Sequence, residues 1–340
     1  MATRADVARL AGVSASTVSY ALSGERPVKP ETRARILAAV AELNYVPHFA
    51  AGALAGKRSK AIALLFAGSE LAISPVALEY VTGAANAARA RGYHLILWPS
   101  DETALADVKR FSLSGLLAGV LLMEIRLEDQ RVEALQELNI PITLIGRTKN
   151  TGEIPFVDRD FSAVAKAATS YLADLGHKKI GLLTQRRGKD ELVLGVDSRF
   201  KSEVLTAAKS ESFEICELSV ENSAQAGREA CAALHENHPD ATALIALPDL
   251  ATMGFLSAAQ ELGIRIPHDF SVLALNTPDN QVGLTWPPLC TVTIPANEMG
   301  RAAADILIDQ LEAEQTQSRI QQLWAGELSI RGTTAKSPRL

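Results

Sequence analysis

The spacing of apolar positions divides the chain into two unlike regions. In the first sixty residues they fall at helical intervals. Val7, Ala8 and Ala11 share one face of a short helix. It is opened by Thr3-Arg4-Ala5-Asp6, a hydroxyl followed three residues later by an acid, in the manner of a capping box, although Asp is a poorer partner than Glu. Gly12 then supplies the residue that enters a left-handed turn without steric penalty. Ser14 is placed to cap a second helix over 15–22, whose Val18 and Leu22 point inward at i and i+4. Pro30 opens a third helix at its tolerated first turn, with Ile36, Val40 and Leu43 as its buried stripe. The tight Gly12-Val13-Ser14 link predicts a helix-turn-helix, with Val7, Val13, Val18, Ile36, Val40 and Leu43 as a minimal core.

From Ala61 the pattern changes to apolar runs alternating with amphipathic stretches. Strands are predicted over 61–67, 94–98, 120–123, 142–145, 180–183, 213–218, 243–247 and 271–275, with helices between them, for example over 77–90, 162–175 and 250–262. Near-continuous aliphatic strands separated by helices predict parallel sheets covered on both faces. Eight or more strands exceed one comfortable doubly wound unit, so two α/β subdomains are expected. Pro47 stops the third helix, and 48–54 allows at most two helical turns, weakened by Gly52. Such a segment alone reads as a linker, and Ala55-Gly56-Lys57-Arg58-Ser59-Lys60 as a flexible basic tether.

Composition narrows the function. With 340 residues, 47% hydrophobic and 5% aromatic, the chain can bury a large aliphatic core. Its longest strongly apolar stretch without a charge, 111–123, is too short to cross a bilayer, and Arg4, Asp6 and Arg9 occupy the place of a signal peptide's apolar run, so a cytoplasmic protein is expected. Cys216, Cys231 and Cys290 are odd in number and widely spaced, and are expected to be reduced and buried. The net charge of −5 is uneven: residues 1–60 hold nine Lys/Arg against four acids, a surplus of +5, leaving −10 on the remaining 280. A basic head on an acidic body suggests polyanion binding confined to one end.

The exposed face of the second helix is small and hydroxylated. Ala15, Ser16, Thr17, Ser19 and Tyr20 suit close approach to a groove, with hydroxyls for phosphates, Ala15 for a thymine methyl and Tyr20 for a base edge. An ordinary helical bundle that binds nothing is the alternative. The body has no GxSxG elbow, no GxxxxGK[ST] loop and no HExxH, so no catalytic residue is assigned. His235, His238 and Asp240 lie at a helix end, where histidines favour the helix dipole, and no metal or other cofactor is expected. Sheets of this kind bind ligands beyond their C-terminal strand ends, and two facing subdomains make a cleft that can close.

Asp6-Val7-Ala8, Ala11-Gly12-Val13-Ser14, Thr17-Val18-Ser19, Glu31-Thr32-Arg33 and Leu43-Asn44-Tyr45-Val46-Pro47 together resemble the headpiece of the lactose-repressor (LacI/GalR) family of bacterial transcriptional regulators. The resemblance continues more loosely through Val157-Asp158, Leu175-Gly176-His177, Thr291-Val292, Met299-Gly300-Arg301-Ala302-Ala303 and Leu328-Ser329-Ile330-Arg331-Gly332-Thr333. It implies an α/β protein with a three-helix headpiece (1–46), a hinge helix and tether (47–60), and an effector-binding and dimerisation domain (61–340) of periplasmic-binding-protein type. That domain is expected to hold two doubly wound parallel subdomains, 61–159 with 292–323 and 160–291 with 324–335, joined by three crossovers.

The resemblance also implies site residues. Ala15, Ser16 and Tyr20 match base-reading positions, and Ser14, Thr17, Ser19 and Ser23 match phosphate contacts. Lys29 stands where a hydroxyl cap is usual and adds a charge for phosphate, while Leu54 matches the wedge that levers open a minor-groove step, or else docks as a core leucine of the next domain. For the effector, Ser69 and Asp249 match strand-end positions and Arg199 matches the family's arginine before a helix. Ser202 replaces the glycine usual after Arg199, Pro248 replaces an Asn, and Asn276 replaces an Asp. Glu124 and Arg147 end their own strands and are expected to face the same cleft. The alternatives are a helix cap for Asp249, a turn for Asn276, a solvated charge for Arg199, and either ligand stacking or core packing for Trp98. The function implied is a repressor binding double-stranded operator DNA as a homodimer. A small effector, most commonly a sugar in this family and less often a purine, would control its affinity. The chain ends without an added heptad helix, which favours a dimer over a tetramer. The rival is a cytoplasmic sugar-binding or sugar-modifying protein that does not regulate through DNA.

Overall fold

The computed structural model describes residues 2–23, 26–45, 59–67, 74–100, 104–186, 194–275, 277–278, 280–313 and 320–338. Leu54 and the rest of the expected hinge, Ser69, Asn276 and the side chain of Ser23 lie outside the described residues. The chain forms two compact units, 1–59 and 60–340.

The first unit is built on α1 (Arg4–Ala11), α2 (Ala15–Ser23) and α3 (Pro30–Glu42). Both bonds of the Thr3/Asp6 capping box form despite the shorter acid, and Gly12 turns the chain with φ of 66°. Val7, Ala8, Ala11, Val18, Ala21, Ile36 and Ala39 form the buried core, with Val13, Val40 and Leu43 packed partly buried against it. The small residues Ala21 and Ala39 thus join the core beside the larger ones that the periodicity marks.

The second unit contains two six-stranded sheets. The first consists of β1 (Ala61–Ala67), β2 (His94–Ser100), β3 (Gly119–Leu122), β4 (Ile142–Ile145), β5 (Phe156–Arg159) and β11 (Gln321–Trp324), in the order β11-β5-β4-β3-β1-β2. The second consists of β6 (Lys179–Gln185), β7 (Glu214–Val220), β8 (Ala243–Ala246), β9 (Ser271–Ala274), β10 (Cys290–Thr293) and β12 (Glu327–Ser329), in the order β12-β10-β9-β8-β6-β7. Both have the doubly wound order, and each is covered on two faces. α4 (Pro75–Ala90) and α11 (Ala296–Glu312) flank one face of the first sheet, with α5 (Ala104–Leu113) and α6 (Gln130–Glu137) on the other. The second sheet lies between α7 (Phe161–Asp174) with α8 (Gly195–Ser210) and α9 (Ala224–Asn237) with α10 (Asp249–Glu261).

The chain passes between the sheets three times: from β5 into α7, from β10 into α11, and from β11 into β12. Val292 and Thr293 still pair in the second sheet and Trp324 in the first, so the last two crossings fall slightly beyond the boundaries expected. β12 departs from an all-parallel sheet. It runs antiparallel to β10, because it enters directly from β11 without the helix that a parallel return needs. Four strands lie outside the eight that the pattern predicts: β5, β10, β11 and β12. β11 is a half-exposed edge, and β5 ends in Asp158 and Arg159, which are 5% and 8% exposed.

Candidate functional sites in the headpiece and the body

On the headpiece, α2 presents exposed Ser14, Ala15 and Ser16 beside half-buried Thr17, Ser19 and Tyr20. Ser14 Oγ accepts from the Thr17 amide at 3.1 Å, capping the helix, and lies 2.8 Å from the Thr17 hydroxyl. Arg4, which sequence reasoning did not single out, donates to Ser19 Oγ at 2.8 Å. The Ser19 hydroxyl accepts this bond and keeps its own proton to donate, beside a cation, which is a chemistry suited to phosphate. Arg26 lies over the Tyr20 ring, 5.1 Å from its centroid. Lys29 is exposed and precedes α3 without a side-chain cap bond, leaving its ammonium at the surface.

In the body, a cavity of about 750 Å³, counting its open mouth, lies between the two sheets. Glu124, Arg147 and Arg199 all line it. Glu124 adopts φ of 54° immediately beyond β3. Arg199, on α8, donates from Nη1 to the Arg147 carbonyl at 2.8 Å and from Nη2 to the Thr148 carbonyl at 2.9 Å. Its fork therefore ties the second subdomain to the turn after β4 of the first. Alongside it the Gly195 amide donates to the Ile125 carbonyl at 2.8 Å, and Leu194 pairs antiparallel with Arg126. Gly195 leaves room for this arrangement, since a Cβ there would displace Arg199 Nη1, which it would meet at 2.5 Å, and crowd the Ile125 carbonyl at 3.1 Å.

Tyr80, Asp158, Arg159 and Asp197 are among the wall residues that were not assigned from sequence. Asp158 is the electrostatic centre. Burial pushes its carboxyl up, against the pull of three neighbouring guanidiniums, Arg147, Arg199 and Arg159. Arg147 Nε lies 3.2 Å from Asp158 Oδ2. Burial pulls the Arg199 guanidinium below its ordinary value, with Asp158 opposing and Arg147 reinforcing the shift. The adjacent Asp-Arg pair at the end of an otherwise apolar tetrapeptide was the available signal.

Asp249 is not part of this wall. Buried at 4% exposure, its Oδ1 accepts from Asn222 Nδ2 at 2.6 Å, while Asn222 Oδ1 accepts from the Leu250 amide at 3.0 Å. This places it at the start of α10, held by the β7–α9 loop. Trp98 packs edge-on to Phe111 at 5.5 Å, also away from the cavity lining. The three cysteines are free and buried. Among the described residues no three His, Cys, Asp or Glu are grouped to hold a metal, and no helix is long and apolar enough to cross a membrane.

His177 of the Leu-Gly-His segment is likewise remote from the cavity. It is fully buried, with Nε2 3.1 Å from the Ala335 carbonyl and Nδ1 2.8 Å from Thr242 Oγ1. The carbonyl only accepts, so Nε2 carries the proton and Nδ1 accepts from the threonine. Burial holds its pKa below the ordinary value, with the Ala335 bond opposing this. The unfolded chain therefore takes up the proton first as pH falls, and stability is lost below about pH 6.5. A His177→Gln variant is expected to show a flatter fall in Tm between pH 7 and 5 than the unaltered protein. Parallel pH profiles would remove His177 as a source of the acid sensitivity.

These features define a class: a helix-turn-helix unit carried by a periplasmic-type body with a ligand cavity between two α/β subdomains. Residues 3–48 match the model of the bacterial regulatory proteins, lacI family, and residues 169–334 that of the periplasmic binding protein-like domain. The chain is 30% identical over 322 residues to the HTH-type transcriptional regulator CelR of Thermobifida fusca, covering 92% of both chains. Among solved structures, the CelR–cellobiose complex superimposes with a TM-score of 0.71 at 25% identity, over 98% of this chain and 100% of that one. A lac repressor dimer bound to operator and the anti-inducer ONPF reaches a TM-score of 0.85 at 24% identity, over 98% and 99%. The chain belongs to the lacI family of bacterial regulatory proteins. It is a DNA-binding transcriptional regulator.

Proposed function

We propose that this regulator is a repressor without chemistry of its own, acting in the cytoplasm as a homodimer on a pseudo-palindromic operator, and that a sugar in the body cavity sets its operator affinity. In this reading α2 lies in the major groove, with Ala15, Ser16 and Tyr20 toward base edges and Ser14, Thr17, Ser19, Ser23 and Lys29 toward phosphates. Residues 47–60 are the hinge, and Leu54 its minor-groove wedge. Arg199, Arg147 and Glu124 contact the effector, with Ser69 and Asn276 proposed for the same site.

The observation that carries the reading is the Arg199 fork on the Arg147 and Thr148 carbonyls at the cavity wall. A ligand that competes for those donors, or adds to them, shifts the relative stability of closed and open subdomains, which is what differential affinity requires. The solved cellobiose complex of CelR supports a sugar as effector. Twofold association is supported by apolar side chains left exposed on both subdomains. Leu78, Ile96 and Leu97 lie on α4 and edge strand β2, and Leu250, Leu284 and Trp286 on the second subdomain.

Gel shifts of the full chain on its own upstream region, titrated with sugars, test the proposal. Operator affinity is expected to change at least about tenfold at saturating effector, equivalent to roughly 1.4 kcal/mol of coupling. Arg199→Ala is expected to abolish that change, because both of its bonds to the first subdomain go with the guanidinium. A full response in the variant would remove Arg199 from the effector site.

A further inference from the structure

We infer that the effector is an acidic sugar, a polyhydroxylated molecule bearing a carboxylate or phosphate, whose anionic group is held by Arg159 and Arg147. This rests on the cavity being the effector site.

Arg159 carries the inference. It is 8% exposed and lines the cavity. Its Nε donates to Tyr80 Oη at 3.3 Å, and its guanidinium carbon lies 6.0 Å from the Tyr80 ring centroid. Its backbone amide donates to Asp158 Oδ1 at 2.8 Å, fixing the Asp158 carboxylate at the end of β5. Among the described residues no group accepts a bond from the two terminal nitrogens of Arg159, and the same is true of Arg147. Arg147 is spent only on a 3.2 Å approach of Nε to Asp158 Oδ2 and on the face of Phe156, 5.9 Å away.

A buried guanidinium with unmet donors is costly, and buried charges are ordinarily paired and hydrogen-bonded. Here three guanidiniums surround a single carboxylate, Asp158. Two further carboxylates, Glu124 and Asp197, line the same cavity, so what the wall leaves over is hydrogen-bond donors. Arg199 spends both terminal nitrogens on backbone carbonyls. The unmet donors are thus concentrated on Arg147 and Arg159, whose planar forks match the paired oxygens of a carboxylate or phosphate. A sugar hydroxyl alone accepts more weakly and brings no charge.

The hydroxylated part of the ligand has its own partner. Asp158 Oδ2 is buried and accepts no hydrogen bond, so it is available to a hydroxyl donor. One wall thus offers acceptor and donors side by side: a carboxylate for a hydroxyl, and two guanidinium forks for an anion.

Thermal-shift and calorimetric titrations of the full chain with matched compounds test this. Glucose and cellobiose are the neutral arm, glucuronate and gluconate the carboxylate arm, and glucose 6-phosphate the phosphate arm. Binding is expected in at least one acidic arm, at least about tenfold tighter than in the neutral arm. Arg159→Gln is expected to weaken it by about tenfold to a hundredfold, and Arg159→Lys to restore part of the loss. Tyr80→Phe, which removes the phenol positioning Arg159 but keeps the ring, is expected to cost several-fold and serves if Arg159→Gln does not fold. Neutral sugars binding as tightly as acidic ones, or acid binding unchanged in both Arg159→Gln and Tyr80→Phe, overturns the inference while leaving the cavity as a sugar site. No binding in any arm overturns it together with the sugar reading.

Discussion

A chain reduced to residues 60–340 is expected to lose specific operator binding altogether while remaining folded. The first unit has its own core around Val7, Val18 and Ile36, and the second has four clusters packed against its two sheets, so removing one does not open the other. Charge makes the loss deep. Residues 1–60 carry a surplus of +5 and the remaining 280 carry −10, so the body alone meets DNA as one polyanion meets another. Specific affinities of such readers exceed nonspecific ones by roughly 10³-fold or more, and at least that much is expected to vanish. Gel shifts at two salt concentrations check it. The full chain should show a steep salt dependence and the truncated chain no shifted band. A truncated chain that grips the operator fragment as well as the full one would place the DNA site in the body.

Gly300→Val is expected to destabilise the body by more than about 3 kcal/mol, the upper range of overpacking in a core. α4 and α11 approach so closely that a Cβ on Gly300 would lie 2.1 Å from the Tyr80 carbonyl oxygen, and one on Gly83 would lie 1.9 Å from that of Asn297. Both clashes are with backbone, so no rotamer change relieves them and the helices must part. α11 is the element that returns the chain from the second subdomain to the first, and its Met299, Ala303 and Leu307 are buried in the same cluster as Tyr80. At roughly 2–4 °C per kcal/mol for a body of this size, Tm should fall by about 6–12 °C. Gly300→Ala sharpens the test through its sign. In an uncrowded helix interior alanine stabilises by about 1 kcal/mol over glycine, whereas here it is expected to destabilise. A raised Tm in Gly300→Ala would show that the helices do not meet at this point.

The parts of the fold legible from sequence are those whose causes lie within a few residues. Thr3 and Asp6 cap α1 through bonds three positions apart, and aliphatic runs such as 61–67 mark central strands directly. Of the strands outside that pattern, β5 and β11 are the polar ones of the first sheet. In β5 the charges of Asp158 and Arg159 are tolerated only because residues far along the chain surround them. Arg147, Arg199 and Glu124 were reachable as strand-end or motif positions, whereas Arg159 had only its place beside Asp158 as a signal and Tyr80 had no local mark of function. Asp249 illustrates the converse. It stands at a strand end like a ligand residue, yet Asn222, 27 positions earlier, occupies its carboxylate.

By itself the sequence determined a basic helix-turn-helix head, an acidic body of two aliphatic sheets, and the residue types able to read a duplex. These follow from periodicity, capping and charge, which act locally or as simple sums. The tertiary structure alone decided where the charged residues meet. It set Arg199 on two backbone carbonyls, which carry no sequence identity of their own, and it placed Arg159 and Arg147 around Asp158 with donors to spare. Such pairings depend on strand order and crossovers, and so on contacts between segments that lie far apart in the chain.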